Sequence, residues 1–71
     1  MKINEGFKSF FIDKLKDVDY YSSKDEMKSD VNFAIENMSY DMESNRMSLM
    51  SAFNNACRDL YIDSDGIETY L

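Results

Sequence analysis

Apolar residues recur along this chain in steps of three and four, the spacing of one face of an α-helix. Phe7, Phe10, Phe11, Leu15 and Val18 form the first stripe and predict an amphipathic helix over residues 4–18, with Asn4 as its N-cap. Gly6 falls in the first turn, where its helix cost of ~1 kcal/mol does least damage. The stripe gives way to Asp19-Tyr20-Tyr21-Ser22, a short polar and aromatic connection.

Ser23-Lys24-Asp25-Glu26 opens the next segment with the pattern of a capping box. The Ser23 hydroxyl accepts from the Glu26 backbone and the Glu26 carboxylate reaches back to the cap, while Asp25 and Glu26 meet the positive end of the helix dipole. Met27, Val31, Ala34, Ile35 and Met38 supply its apolar face. The same spacing returns 22 residues later in Leu49, Phe53, Ala56, Cys57 and Leu60, which places a third helix from Asp41 or Ser44 to Ile62. The shared helical period accounts for this match without a duplicated unit. Residues 37–41 are the expected turn between the two helices, yet they contain neither Gly nor Pro and Met42 continues the second stripe. One long bent helix is the alternative.

The tail allows two readings. Gly66 closes the third helix as its C′ residue, or Asp65-Gly66 turns a hairpin between residues 60–62 and 67–70. An isolated hairpin is marginal in water, so a helix end with a loosely docked tail is preferred. The expected fold is therefore all-α. Residues 1–71 form one small three-helix domain, with helix 1 packed on a helix 2–helix 3 hairpin and a short C-terminal tail. Phe7, Phe11, Leu15, Val31, Ile35, Leu49, Phe53, Ala56 and Leu60 are its predicted core.

With 71 residues the domain sits near the lower limit for a self-sufficient core. Domains of this size bury about 60% of the surface exposed by the unfolded chain, and such cores rarely supply more than ~3–5 kcal/mol. One cysteine forms no internal bridge, so association with a second copy or a larger partner is a natural source of stability, and a homodimer is among the expected assemblies. The lone thiol suits a reducing compartment. The first six residues lack the apolar region of a secretory leader, and no apolar run approaches the ~20 residues of a membrane span. The expectation is a cytoplasmic protein with no membrane partner.

Catalysis is not expected. The chain has no histidine, which removes the Ser-His and Cys-His arrangements. Its carboxylates fall mainly on polar helix faces, and a domain this small leaves little room for a pocket of ~300 Å³. Asp63-Ser64-Asp65-Gly66 resembles the middle of a calcium loop, but that register puts Tyr61 at the first ligand position and the closing glutamate beyond Leu71. Asp17 and Asp19 are a second pair two residues apart, without a supporting glycine. Both read as turn residues, so no metal and no cofactor is expected. Cys57 lies on the apolar stripe as a small buried hydrophobe.

Charge changes the picture most. Fourteen acidic residues against eight basic ones leave a net charge of -6, and the charge is segregated. Residues 1–18 hold four lysines and three acids; residues 19–43 hold seven acids and two lysines. Residues 44–58 add only Arg46 and Arg58, and residues 59–71 hold four acids and no base. Glu26 and Asp30 stand one turn apart, a like-charge spacing that costs a few tenths of a kcal/mol. Such a field repels nucleic acid directly. It also steers the domain onto a basic, nucleic-acid-binding surface of another protein, where carboxylates on a rigid helix stand in for phosphates.

The expected function is thus non-catalytic: an acidic inhibitor that acts as a DNA mimic on a basic nucleic-acid-binding protein. The residues expected to carry it are Asp25, Glu26, Asp30, Glu36, Asp41 and Glu43, with Asp63, Asp65 and Glu68 from the tail. In size and charge the chain resembles the small acidic proteins that phages make early to disable host machinery. Abundant Asn, Lys, Ile, Tyr, Phe and Met with scarce Ala, Arg, Gly and Pro match the codon bias of a low-GC bacterium or its phage. The alternative is a helical oligomerisation or adaptor module that binds through Met27, Met38, Met42, Met47 and Met50 and through the off-stripe Phe33 and Tyr40.

Overall fold

Asn4 begins the first helix by accepting the Phe7 backbone N–H at 2.9 Å on its side-chain oxygen. In a computed structural model that describes residues 3–18 and 20–71, this helix, α1, runs over Glu5–Leu15. Two further helices follow, α2 over Lys24–Ser44 and α3 over Leu49–Asp59, and Ile67–Tyr70 forms a closing 3₁₀ turn. No strand occurs among the described residues, so the tail makes no hairpin. The all-α, three-helix architecture is as expected, with α2 packed on α3 and α1 packed on α2.

Residues 37–41 do not break the chain. They continue α2 without interruption, and the reversal lies at residues 45–48. The reason is the apolar stripe itself: Met38 is buried at 1% exposure and Met42 packs against the core, so ending the helix earlier would expose both. At the true end the Asp41 carbonyl accepts from the backbone N–H groups of Asn45 and Met47, with Arg46 in the left-handed region at φ 54°. Ser48 then caps α3 by accepting the Ser51 N–H at 3.1 Å. The third helix accordingly starts after both Asp41 and Ser44, and it stops short of Ile62.

The C-terminal end of α3 is a Schellman motif. Ile62 N–H reaches the Cys57 carbonyl at 3.0 Å and Tyr61 N–H the Arg58 carbonyl at 3.2 Å. The left-handed C′ position belongs to Tyr61, at φ 60°, and not to Gly66. Gly66 serves a second reversal at φ 92°, where an added Cβ would come within 2.9 Å of the Phe10 ring.

That reversal sends Ile67 into the core at 4% exposure, so the tail is firmly seated and not loosely docked. Tyr70 stands edge-on to Phe7 at 5.3 Å between ring centroids. Phe53 is the centre of the aromatic set, with edge contacts to Phe7 at 5.3 Å and to Phe11 at 5.0 Å. Each such pair adds about 0.5–1.5 kcal/mol beyond the area it buries, which matters in so small a core. Of the predicted core, Ile35 and Leu60 are only half-buried, whereas Ala34, Met38, Ala52, Cys57 and Ile67 join it.

Lys14 ties the tail to α1. Its ammonium bonds the Asp63 carboxylate at 2.8 Å and the Asp65 carbonyl at 2.9 Å, above the Phe10 ring.

Candidate functional site

Helix α2 distributes its acids by helical geometry. Residues separated by eleven or seven positions return to within about 20° of the same direction. Asp25, Glu36 and Glu43 therefore lie along one outward line, about 16 Å and then about 10 Å apart along the axis. All three are exposed, and none joins an ion pair among the described residues. Asp30 and Asp41 form a second line on the flank that faces α3. Phe33 and Tyr40 project between these two lines at 66% and 63% exposure. The sequence places both off the apolar stripe, and the structure puts them amid carboxylates.

Glu26 is committed locally. Its backbone N–H donates to the Ser23 hydroxyl at 3.2 Å, but its carboxylate accepts from the Ser22 hydroxyl, also at 3.2 Å, so the box closes one residue earlier than expected. Asp30 is half-buried and accepts the Tyr21 hydroxyl at 2.6 Å. Burial, together with that carboxylate, pushes the Tyr21 hydroxyl well above its usual range. Asp41 accepts the Asn45 side-chain amide at 2.9 Å.

The tail acids do not join this face. Asp63 is paired with Lys14, and its carboxylate also accepts the Asp65 backbone N–H at 2.9 Å. These two bonds hold it below its usual value, the Lys14 contribution being the larger. This is the structural use of the motif that resembles a calcium loop: it is an Asx turn locked by a lysine. Among the described residues no group of three or more metal-capable side chains converges. Asp19, one half of the Asp17 and Asp19 pair, lies outside the described residues. Asp65 and Glu68 are exposed on the tail, apart from α2.

Between α2 and α3 runs a cleft of about 250 Å³, bordered by Asp30, Phe33, Asn37, Asp41, Asn55 and Asp59. Asp59, the last residue of α3, brings a third carboxylate to the two from α2. Helical period alone does not signal Asp59, because its place at the cleft depends on how α3 lies against α2. A second cleft of about 290 Å³ adjoins the first through Asp30, Asp59 and Leu60, and is walled by Tyr20, Tyr21 and Tyr61. Hollows of this size were not expected in so small a domain. A larger one of about 510 Å³ opens beside Asp13, Lys14 and Asp63, where the one cation among the described lining residues, Lys14, is already paired.

Among the described residues the methionines form no continuous exposed surface. Met38 is buried, Met27, Met42 and Met47 pack half-buried against the core, and Met50 is 43% exposed. Cys57 is buried in α3. Loss of solvation pushes its thiol up to about 12, which leaves it protonated and unreactive near neutral pH. None of the described helices is long and apolar enough to cross a membrane. No protein-family model, curated protein or solved structure matches this chain.

Proposed function

We propose that this protein is a non-catalytic inhibitor whose α2 face occupies a basic, nucleic-acid-binding surface of another protein. The observation that carries this reading is the unbroken 21-residue helix with Asp25, Glu36 and Glu43 aligned and exposed along it, and unpaired among the described residues. The body measures 34 × 21 × 21 Å, about the girth of a duplex. Phe33 and Tyr40, set between the lines of carboxylates, supply the aromatic centre that protein interfaces favour within a polar rim. The partner is accordingly a basic protein, not nucleic acid and not a membrane.

The exposed aromatics support a second reading, an adaptor that binds by apolar contact. Most of the methionine surface this reading relies on is used in the core, which favours the first. Salt separates the two. Capture of partners on the immobilised protein should weaken steeply between about 0.05 and 0.5 M salt as the screening length shrinks to a few Å. Neutralising Asp25, Glu36 and Glu43 to Asn, Gln and Gln should abolish it. Capture that persists in high salt and survives these changes favours the adaptor.

A further inference from the structure

Tyr20 and Tyr21, at the entry to α2, meet Tyr61, just past the end of α3, around one cleft of about 290 Å³. The Tyr20 and Tyr21 rings stand perpendicular at 5.1 Å between centroids, so two aromatic surfaces meet at a right angle. Val18 and Leu60 add apolar wall, and Asp30 and Asp59 border it with carboxylates. Asp30 accepts Tyr21 on one oxygen only, and a carboxylate has about four acceptor positions. We infer that this cleft receives an arginine side chain of the basic partner; the inference rests on the reading of the partner as basic.

The chemistry favours this occupant. An apolar side chain would strip water from two carboxylates without replacing their hydrogen bonds, and an anion would be repelled. A planar guanidinium stacks on a tyrosine face while its edge donates to carboxylates, and it is more weakly hydrated than an ammonium. The chain's own Arg58 lines an adjoining hollow with Tyr40 and Asn55 that shares Asp59 with this cleft, but it makes no ion pair there among the described residues. Tyr61 leaves its ring open to a guest. It is 94% exposed and occupies a left-handed C′ position that glycine would fill without strain.

The test uses nona-arginine and nona-lysine as probes, titrated into the full, isotopically labelled chain in dilute salt and followed by NMR. Nona-arginine should bind about tenfold more tightly than nona-lysine, with the largest shifts at Tyr20, Asp59 and Tyr61. A Tyr20→Ala, Tyr61→Gly variant, altered only at exposed side chains, should lose this preference and bind the two peptides alike. The Asp25→Asn, Glu36→Gln, Glu43→Gln variant should weaken both peptides equally and keep the preference. Equal affinities for the unaltered protein, or a preference that survives loss of the two tyrosines, overturns the arginine cleft alone. A triple variant that binds both peptides undiminished counts against the acidic α2 face and leaves the cleft standing. Failure of both peptides to bind overturns the two together.

Discussion

The Tyr21 hydroxyl donates to the Asp30 carboxylate at 2.6 Å, linking the connection after α1 to the second turn of α2. It is a charge-assisted bond in a half-buried place, and it holds one acid of the α2–α3 cleft in position. Replacing Tyr21 by Phe should lower stability by about 1 kcal/mol, read as a lower urea midpoint with an unchanged slope. A neutral result would mean that water replaces the hydroxyl without loss.

Two positive-φ residues close to one another should respond in opposite ways. Gly66→Ala puts a Cβ against Phe10 at 2.9 Å in a left-handed backbone, and should cost ~2 kcal/mol or more. Tyr61→Gly relieves the same kind of strain at an exposed site and should gain up to ~1 kcal/mol. Thermal melts of the two variants check both signs. If Tyr61→Gly destabilises, the side chain is making contacts that its exposure denies.

Cys57 gives stability a dependence on alkaline pH. The unfolded thiol loses its proton above its usual value of 9.0, while the folded thiol holds it to about 12. The stabilisation is thus complete below pH 9.0 and is lost as pH rises through this interval. Unfolding in urea should become about 1 kcal/mol easier between pH 8 and pH 10 from this group. Cys57→Ala should flatten that slope, and thiol reagents at pH 8 should label the native protein far more slowly than the unfolded chain.

The Lys14–Asp63 pair acts at the acid end. Because its bonds lower the Asp63 value, the stabilisation is present above the usual aspartate value of 3.8 and fades as pH falls below it. Lys14→Met should reduce that acid sensitivity, leaving the part due to the Asp65 N–H, and speed amide exchange at Thr69 and Leu71, in the turn that the pair holds down.

The helices were legible in sequence because caps and stripes agree with one another. Asn4 and Ser23 announce α1 and α2, and Phe7, Phe11, Val31 and Phe53 keep helical step. Helix ends were less legible. Polar residues at 37–41 suggested a turn, but burial of Met38 decides the matter, and burial is a tertiary fact. Arg46 and Tyr61 occupy positions normally filled by glycine, so neither reversal carried its usual mark. Ile67 entered the core for a similar reason, since only the geometry at Gly66 aims it inward. For the candidate site, the alignment of Asp25, Glu36 and Glu43 follows from helical period once α2 is unbroken. The approach of Asp59 to Asp30 does not, because it depends on how α3 lies against α2.

The central claim is that the carboxylates of α2 take the place of phosphates on a basic protein. Competition tests it most directly: proteins from a bacterial lysate are bound to the immobilised chain and then challenged with excess duplex DNA. The account predicts that DNA releases nucleic-acid-binding proteins, and that the Asp25→Asn, Glu36→Gln, Glu43→Gln variant retains none of them. Bound proteins that duplex DNA leaves in place, and that the variant holds equally well, would contradict it.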